Sequence, residues 1–189
     1  MAFDLPDLHD HALVATRRYV AGVGANQWKG PSPCEGWDVR ELVNHIVSGN
    51  FWAGALARGK TIGDVGDRLD GDILGDDPTA AYDESARASS EAFHAPGAME
   101  APCAVSYGPV PGEVYLGHRF IDVVVHGWDV AKGTGQDTRL DPELVEACFT
   151  VIEPQKEMLF GSGAFGTDHE PEPGADRQTA LLELLGRTP

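Results

Sequence analysis

The sequence predicts an all-α protein, a bundle of four or five helices. Three observations predict it. Apolar residues recur at helical spacing in several stretches of helix length. Three of those stretches open on an aspartate placed as an N-cap: Asp38, Asp77 and Asp141. Glycine- and proline-rich runs separate them, and no internal repeat occurs.

The first helix is predicted from about Pro6 to Val23. Pro6 suits a first turn, where its missing N–H costs nothing. Leu8, Ala12, Ala15 and Tyr19 form one stripe, and Gly22 and Gly24 end it. The second helix has the strongest start signal. Asp38 caps it, Glu41 completes a capping box, and Trp37 with Leu42 can form a hydrophobic staple. Leu42, His45, Ile46, Gly49, Ala53 and Leu56 then share a face, and the helix stops near Gly59. Residues 60 to 77, with Asp70-Gly71-Asp72 and Gly75-Asp76-Asp77, read as a long acidic loop. They lack the regular Asp spacing and distal Glu of a calcium loop.

A third helix is predicted from Asp77-Pro78 to about Phe93, broken by Ala95-Pro96-Gly97. Residues 101 to 111 carry two prolines flanking a glycine and read as a loop or a short extended segment. The fourth helix spans about Gly112 to Lys132, closed by Gly133 and Gly135. The fifth begins at Asp141-Pro142, with Leu140 and Val145 as a second staple and Pro154 as its limit. Residues 161 to 175 should be irregular, and Gln178 to Leu185 a short helix docking on the body. One domain is expected over 1–189, its 160–189 portion an irregular tail with that terminal helix.

The 189 residues can bury a sizeable core without staples. No window approaches 18 consecutive apolar residues, and the N-terminus has neither the basic nor the apolar run of a secretory signal. Cys34, Cys103 and Cys148 are odd in number, widely spaced and free of any CxxC, so a disulfide framework is not expected. That usage suits a reducing cytoplasm, with the thiols as small buried residues. Against 14 basic residues stand 30 acidic ones, a formal charge of −16. A polyanion would be repelled, and no local basic patch offsets this. Nucleic acid and anionic membrane are excluded as partners.

The fourth helix carries the chemistry. His118, Asp122, His126 and Asp129 fall within an arc of about 80° at about 100° per residue. The rest of the helix, including Phe120, Ile121, Val123, Val124, Val125 and Trp128, is strongly apolar. Unpaired ionisable groups in such surroundings shift their pKa or destabilise the fold. Either the stripe faces water or it has a partner. A helix apolar nearly all round is usually buried, which favours a partner, and a metal is the sharpest candidate. Asp122 and His126, four apart, can reach one ion. His45, in the apolar stripe of the second helix, is the third ligand candidate or else a hydrogen-bonded core histidine. Three protein ligands and an open position make a catalytic zinc layout. Asp129 either orients a ligand or accepts a helix-end hydrogen bond. His118 and His11 are pocket candidates or ordinary core and surface histidines. His9, His94 and His169 have no supporting context. No serine–histidine–aspartate order, P-loop or dinucleotide glycine fingerprint appears; Gly22-x-Gly24 follows a helix, not a strand.

Two motifs carry a resemblance. The run Pro31-Ser-Pro-Cys-Glu-Gly-Trp37-Asp38-Val-Arg40-Glu41-Leu42-Val-Asn-His45 resembles the signature of the DinB-like metal-binding proteins. The second, Asp122-Val-Val-Val-His126-Gly-Trp128-Asp129-Val-Ala, is similar to the actinobacterial branch related to the metal-binding domain of mycothiol-dependent maleylpyruvate isomerase. Gly163-Ala-Phe-Gly166 and Leu184-Leu-Gly-Arg187 resemble that branch too. The resemblance implies a DinB-like four-helix bundle with a divalent metal between helices, zinc or alternatively nickel. It maps the ligands onto His45, Asp122 and His126, with Asp122 standing where the isomerase has a glutamate. It also implies a small thiol such as mycothiol on the open metal position and an electrophilic co-substrate, giving S-transfer or isomerisation. The complete isomerase has a second, C-terminal domain, and this sequence ends after a short tail, so maleylpyruvate isomerisation itself is not expected. The alternatives are a non-enzymatic metal or small-ligand binding protein on the same bundle, and a structural hydrogen-bond network or oligomer interface without metal. A homodimer is left open.

Overall fold

A computed structural model describes residues 4–157 and 172–189. The chain divides into two compact units, 1–138 and 139–189. The first holds helices α1 (Leu5–Ala21), α2 (Val39–Ala57), α3 (Ile62–Val65) and α4 (Pro78–Phe93), strands β1 (Pro102–Val105) and β2 (Gly108–Pro111), and helix α5 (Gly112–Thr134). The second holds α6 (Pro142–Ile152), a 3₁₀ turn (Glu153–Gln155) and α7 (Arg177–Leu184). Residues 161–171, including Gly163-Ala-Phe-Gly166 and His169, lie outside the described residues.

The first unit is a DinB-like four-helix bundle. Around it, α1 packs on α4, α4 on α2, α2 on α5 and α5 on α1. Each long helix therefore buries one stripe, and α5 buries most of its circumference. Leu116, Phe120, Ile121, Val123 and Val130 are all fully buried, with Trp128 nearly so. Close approach between α1 and α5 depends on Gly127, where an added Cβ would press on the Thr16 side chain. The Thr16 hydroxyl donates to the Val123 carbonyl, 3.0 Å away.

The caps are as expected at α2, α4 and α6. At α2 the Glu41 N–H donates to Asp38 Oδ1 and the Asp38 N–H to Glu41 Oε2, both at 2.8 Å. Asp77 receives the Ala80 N–H at 3.0 Å, and Asp141 the Glu143 N–H at 2.9 Å. Helix α1 begins one residue before Pro6, under Asp4 as cap, and ends at Ala21. Helix α5 runs past Gly133 to Thr134 and turns off at Gly135, φ 69°.

Two segments differ from the sequence reading. Inside the acidic loop, Thr61 and Asp64 form a capping box that starts the one-turn helix α3. Asp in place of the usual Glu or Gln hides that signal. Residues 102–111, read as a loop or extended segment, pair as an antiparallel hairpin with Pro102 opposite Pro111 and Val105 opposite Gly108. Proline is compatible with a two-stranded ribbon because outward-facing positions need no N–H. The hairpin buries Cys103 and Val105 with Ala53 and Leu56 of α2, Phe93 of α4, and Tyr115 and Leu116 of α5.

In the second unit α7 packs on α6. Asp176 caps α7, and Arg177 makes a two-point ion pair with Glu146, at 2.7 and 2.8 Å. No described helix is long and apolar enough to cross a membrane.

Candidate metal centre

The polar stripe of α5 faces inward. Asp129 is fully buried, His118 is 8% exposed, and the side chains of Asp122 and His126 keep 16% and 12% of their surface. Exposure to water is therefore not what accommodates these groups. They have partners, from α2, from the loop before it, from the hairpin and from α5 itself.

His45 of α2 meets the stripe. Its Nε2 is 3.5 Å from Asp122 Oδ1, and His126 Nε2 is 3.6 Å from the same oxygen. The two imidazoles stand nearly perpendicular, 4.9 Å between centroids. Sequence spacing explains half of this. Asp122 and His126 are one turn apart on one helix face. The other half is the packing of α2 on α5, which brings His45 to Asp122.

The atoms behind these three make the arrangement directional. His126 Nδ1 is 2.9 Å from Asp129 Oδ2. A carboxylate accepts, so Nδ1 carries a hydrogen, and Nε2 is the nitrogen that faces Asp122 and His45. Arg119 Nη1 donates to Asp122 Oδ2 at 2.8 Å, which occupies that oxygen and leaves Oδ1 on the histidine side. Arg119 Nη2 reaches Asn50 Oδ1 at 3.2 Å, and Asn50 Nδ2 reaches Ser85 Oγ at 3.3 Å. The guanidinium lies against Gly49, where a Cβ would fall 2.6 Å from Arg119 Cζ. Burial pushes the Asp122 carboxyl up. Arg119, then His126 and His45, outweigh burial and hold it well below the ordinary carboxylate range.

The donor set fits a divalent first-row ion. Two donors about 2.0–2.1 Å from a tetrahedral ion lie about 3.3–3.4 Å apart, against 3.5 and 3.6 Å here. Two imidazole nitrogens and one carboxylate oxygen suit zinc, nickel or their neighbours better than calcium or magnesium.

Of the other sequence candidates, Asp129 contacts the His126 imidazole. His118 pairs instead with the hairpin, its Nδ1 2.6 Å from the Tyr107 hydroxyl. His11 is half-buried on α1, and neither it nor His118 belongs to a converging donor group among the described residues. Three contributors escaped the sequence reading. Cys34, taken for a small buried residue like the buried Cys103 and Cys148, is half-buried beside the site. Its Sγ lies 3.4 Å from Asp129 Oδ2 and 3.8 Å from His126 Nδ1. Arg119 precedes Asp122 by three residues, a spacing that does signal contact. Trp37, read as a staple residue, sets its ring against His45 and His126, at 4.9 and 6.2 Å. A cleft of about 590 Å³ opens beside His45 and Trp37, between α2 and residues 69–72.

Comparison with known proteins gives the family. Residues 9–131 match the family described as the mycothiol maleylpyruvate isomerase N-terminal domain. The uncharacterized proteins MT0763 and Rv0738, from Mycobacterium tuberculosis strains CDC 1551 / Oshkosh and ATCC 25618 / H37Rv, are each 36% identical over 188 residues. Each alignment covers 95% of this chain and 96% of the relative. No solved structure matches the chain. The matched segment spans α2 and α5 as far as residue 131, and the chain belongs to the mycothiol maleylpyruvate isomerase N-terminal domain family.

Proposed function

We propose that this protein is a cytoplasmic, metal-dependent thiol enzyme, an S-transferase or isomerase that uses mycothiol or a close analogue with an electrophilic co-substrate. What carries the reading is the convergence of His45 Nε2, His126 Nε2 and Asp122 Oδ1, with Asp129 behind His126. The name of the family, the mycothiol maleylpyruvate isomerase N-terminal domain, supports the thiol.

His45, Asp122 and His126 would hold the ion, zinc in the first instance and nickel as the alternative. A bound ion of this kind supplies the Lewis acidity that keeps a thiol deprotonated near neutral pH. The remaining chemistry belongs to the chain. Asp129 fixes the imidazole of His126 in one tautomer and orientation. Arg119 fixes Asp122 as a one-oxygen donor, so three protein atoms, and not four, face the ion. That leaves room for a small ligand. Trp37 shields the two histidines from one side and limits access of water, which would compete with the thiol for the electrophile.

Elemental analysis of the purified protein tests the reading. About one equivalent of a divalent ion is expected. Alanine at His45, Asp122 or His126 should remove it while helical circular dichroism is kept. Adding mycothiol to the metal-loaded protein should release protons, because the thiol binds as its anion. A protein that purifies without metal, takes none up from a buffered zinc solution and releases no proton with mycothiol would refute the assignment.

A further inference from the structure

A second set of donors converges on the opposite edge of His126. Cys34 Sγ lies 3.8 Å from His126 Nδ1 and 3.4 Å from Asp129 Oδ2, and those two atoms are 2.9 Å apart. One ligand atom from each of the three residues falls within 4.8 Å of the others, as it does at His45, Asp122 and His126. His126 belongs to both groups, through Nδ1 here and through Nε2 there.

The chain holds Cys34 in this place. It sits in the turn before α2, which is closed by the pairing of Pro31 with Asp38. Inside the turn the Cys34 N–H donates to Ser32 Oγ at 3.2 Å, and the Trp37 N–H donates to the Cys34 carbonyl at 3.1 Å. The turn rests on α5 at Gly133, one helical turn beyond Asp129, where an added Cβ would fall 3.3 Å from the Pro31 carbonyl oxygen. Asp129 is fully buried and Cys34 half-buried, so the group opens to solvent on the Cys34 side.

The distances suit a tetrahedral ion. Bonds of about 2.3 Å to sulfur and about 2.0–2.1 Å to nitrogen and oxygen put sulfur about 3.5–3.6 Å from the other two donors. They put those two about 3.3–3.4 Å from each other. The His126–Asp129 pair is joined by a hydrogen bond, and it opens by about half an ångström when an ion replaces the hydrogen. A thiolate makes this group softer than the nitrogen and oxygen set at His45, so it favours cadmium and comparable thiophilic ions.

We propose that Cys34, His126 and Asp129 form a second metal site, for a thiophilic ion, and that its occupation excludes the ion held through His45 and Asp122. A neutral imidazole offers one electron pair to a metal. Ligation at Nδ1 moves the ring hydrogen to Nε2, which then faces Asp122 Oδ1 as a donor; the Cys34 thiol passes its proton to solvent. One side chain thus serves either centre and not both. The exclusion rests on the metal reading above; the second site does not.

The test is cadmium chloride titrated into metal-free and zinc-loaded protein. It is read by the ultraviolet thiolate-to-cadmium charge-transfer band and by elemental analysis after gel filtration. The band should saturate at about one cadmium per chain, and the zinc-loaded protein should give up about one zinc for each cadmium bound. Cys34→Ser should remove the band and leave zinc affinity within about twofold. His45→Ala should keep the band, at no higher cadmium concentration than the metal-free native protein needs. The proposal is overturned by cadmium uptake without the band, by a band that survives Cys34→Ser, or by zinc and cadmium held together. Loss of the band in His45→Ala also overturns it, since Cys34 would then be a ligand of the first centre. Failure of the metal reading looks different: the native protein retains no zinc, and the band with its dependence on Cys34 persists.

Discussion

Replacing Arg119 by methionine isolates the electrostatic support of the centre. The side chain keeps an unbranched apolar stem and loses its guanidinium and charge. In the native protein Arg119 and Asp122 are 2.8 Å apart, with side-chain exposures of 9% and 16%, so water screens the pair little. Removing one partner of such a pair costs about 3–5 kcal/mol, because the other charge stays buried and unmatched. Asn50 Oδ1 loses its Arg119 donor as well. For a chain of this length, 1 kcal/mol moves the melting temperature by about 2–4 °C, which puts the metal-free variant about 10 °C below the native protein. The assay is thermal and urea unfolding of both proteins, without metal and with saturating zinc. A divalent cation beside Asp122 replaces part of the missing charge. Zinc should therefore stabilise the variant by more than it stabilises the native protein. Gly49→Ala acts through the same contact, since its Cβ displaces the guanidinium, and should show a smaller loss of the same kind. A metal-free loss below about 1 kcal/mol, the level of an exposed pair, would refute the argument. So would zinc stabilisation equal in the two proteins.

Asp129→Asn leaves the shape at His126 almost unchanged but no longer favours one tautomer. Zinc affinity, measured by chelator competition, should fall about 10- to 100-fold. His9 gives a second pH dependence. Burial, then Arg119 and His94, lower its pKa from 6.5 to about 3, and its Nε2 lies 3.0 Å from Ser89 Oγ. The folded state thus holds His9 neutral, and the unfolded state takes up the proton first as pH falls. Its contribution is fully present above pH 6.5 and is lost progressively between pH 6.5 and about 3. At pH 4.5 the loss is about 3 kcal/mol. Urea unfolding of His9→Gln should show a stability difference between pH 7 and 4.5 that is smaller by that amount. Asp122 runs on a lower window: with its pKa held below 3.8, its contribution persists above that value and disappears only as pH falls through the depressed one.

The parts legible in the sequence are those set within a turn or two of chain. Asp38 with Glu41, Asp77 with Pro78, and Asp141 with Pro142 announce helix starts, because a cap satisfies N–H groups of the very next turn. The stripe on α5 announced buried ionisable groups for the same local reason: a period of 3.6 residues puts 118, 122, 126 and 129 on one side. What the sequence hid locally was chemistry in unusual dress. Asp64 closes a capping box that Glu or Gln usually closes, and a proline-rich run makes a hairpin.

The centre itself was legible as a set of three residues and not as a geometry. His45 is separated from Asp122 by 77 positions, and only the α2–α5 packing sets their 3.5 Å separation. The roles of Cys34, Arg119 and Trp37 depend on the same packing. The spacing of Arg119 to Asp122 is local, but its burial depends on Gly49 of α2, which leaves room for the guanidinium. Short-range hydrogen bonds and helical period are encoded residue by residue, so the sequence determined the helices, their starts and the polar stripe. Which nitrogen faces which oxygen, which carboxylate oxygen is taken, and where the cleft opens follow from side chains meeting across helices. Those were decided only when the bundle closed.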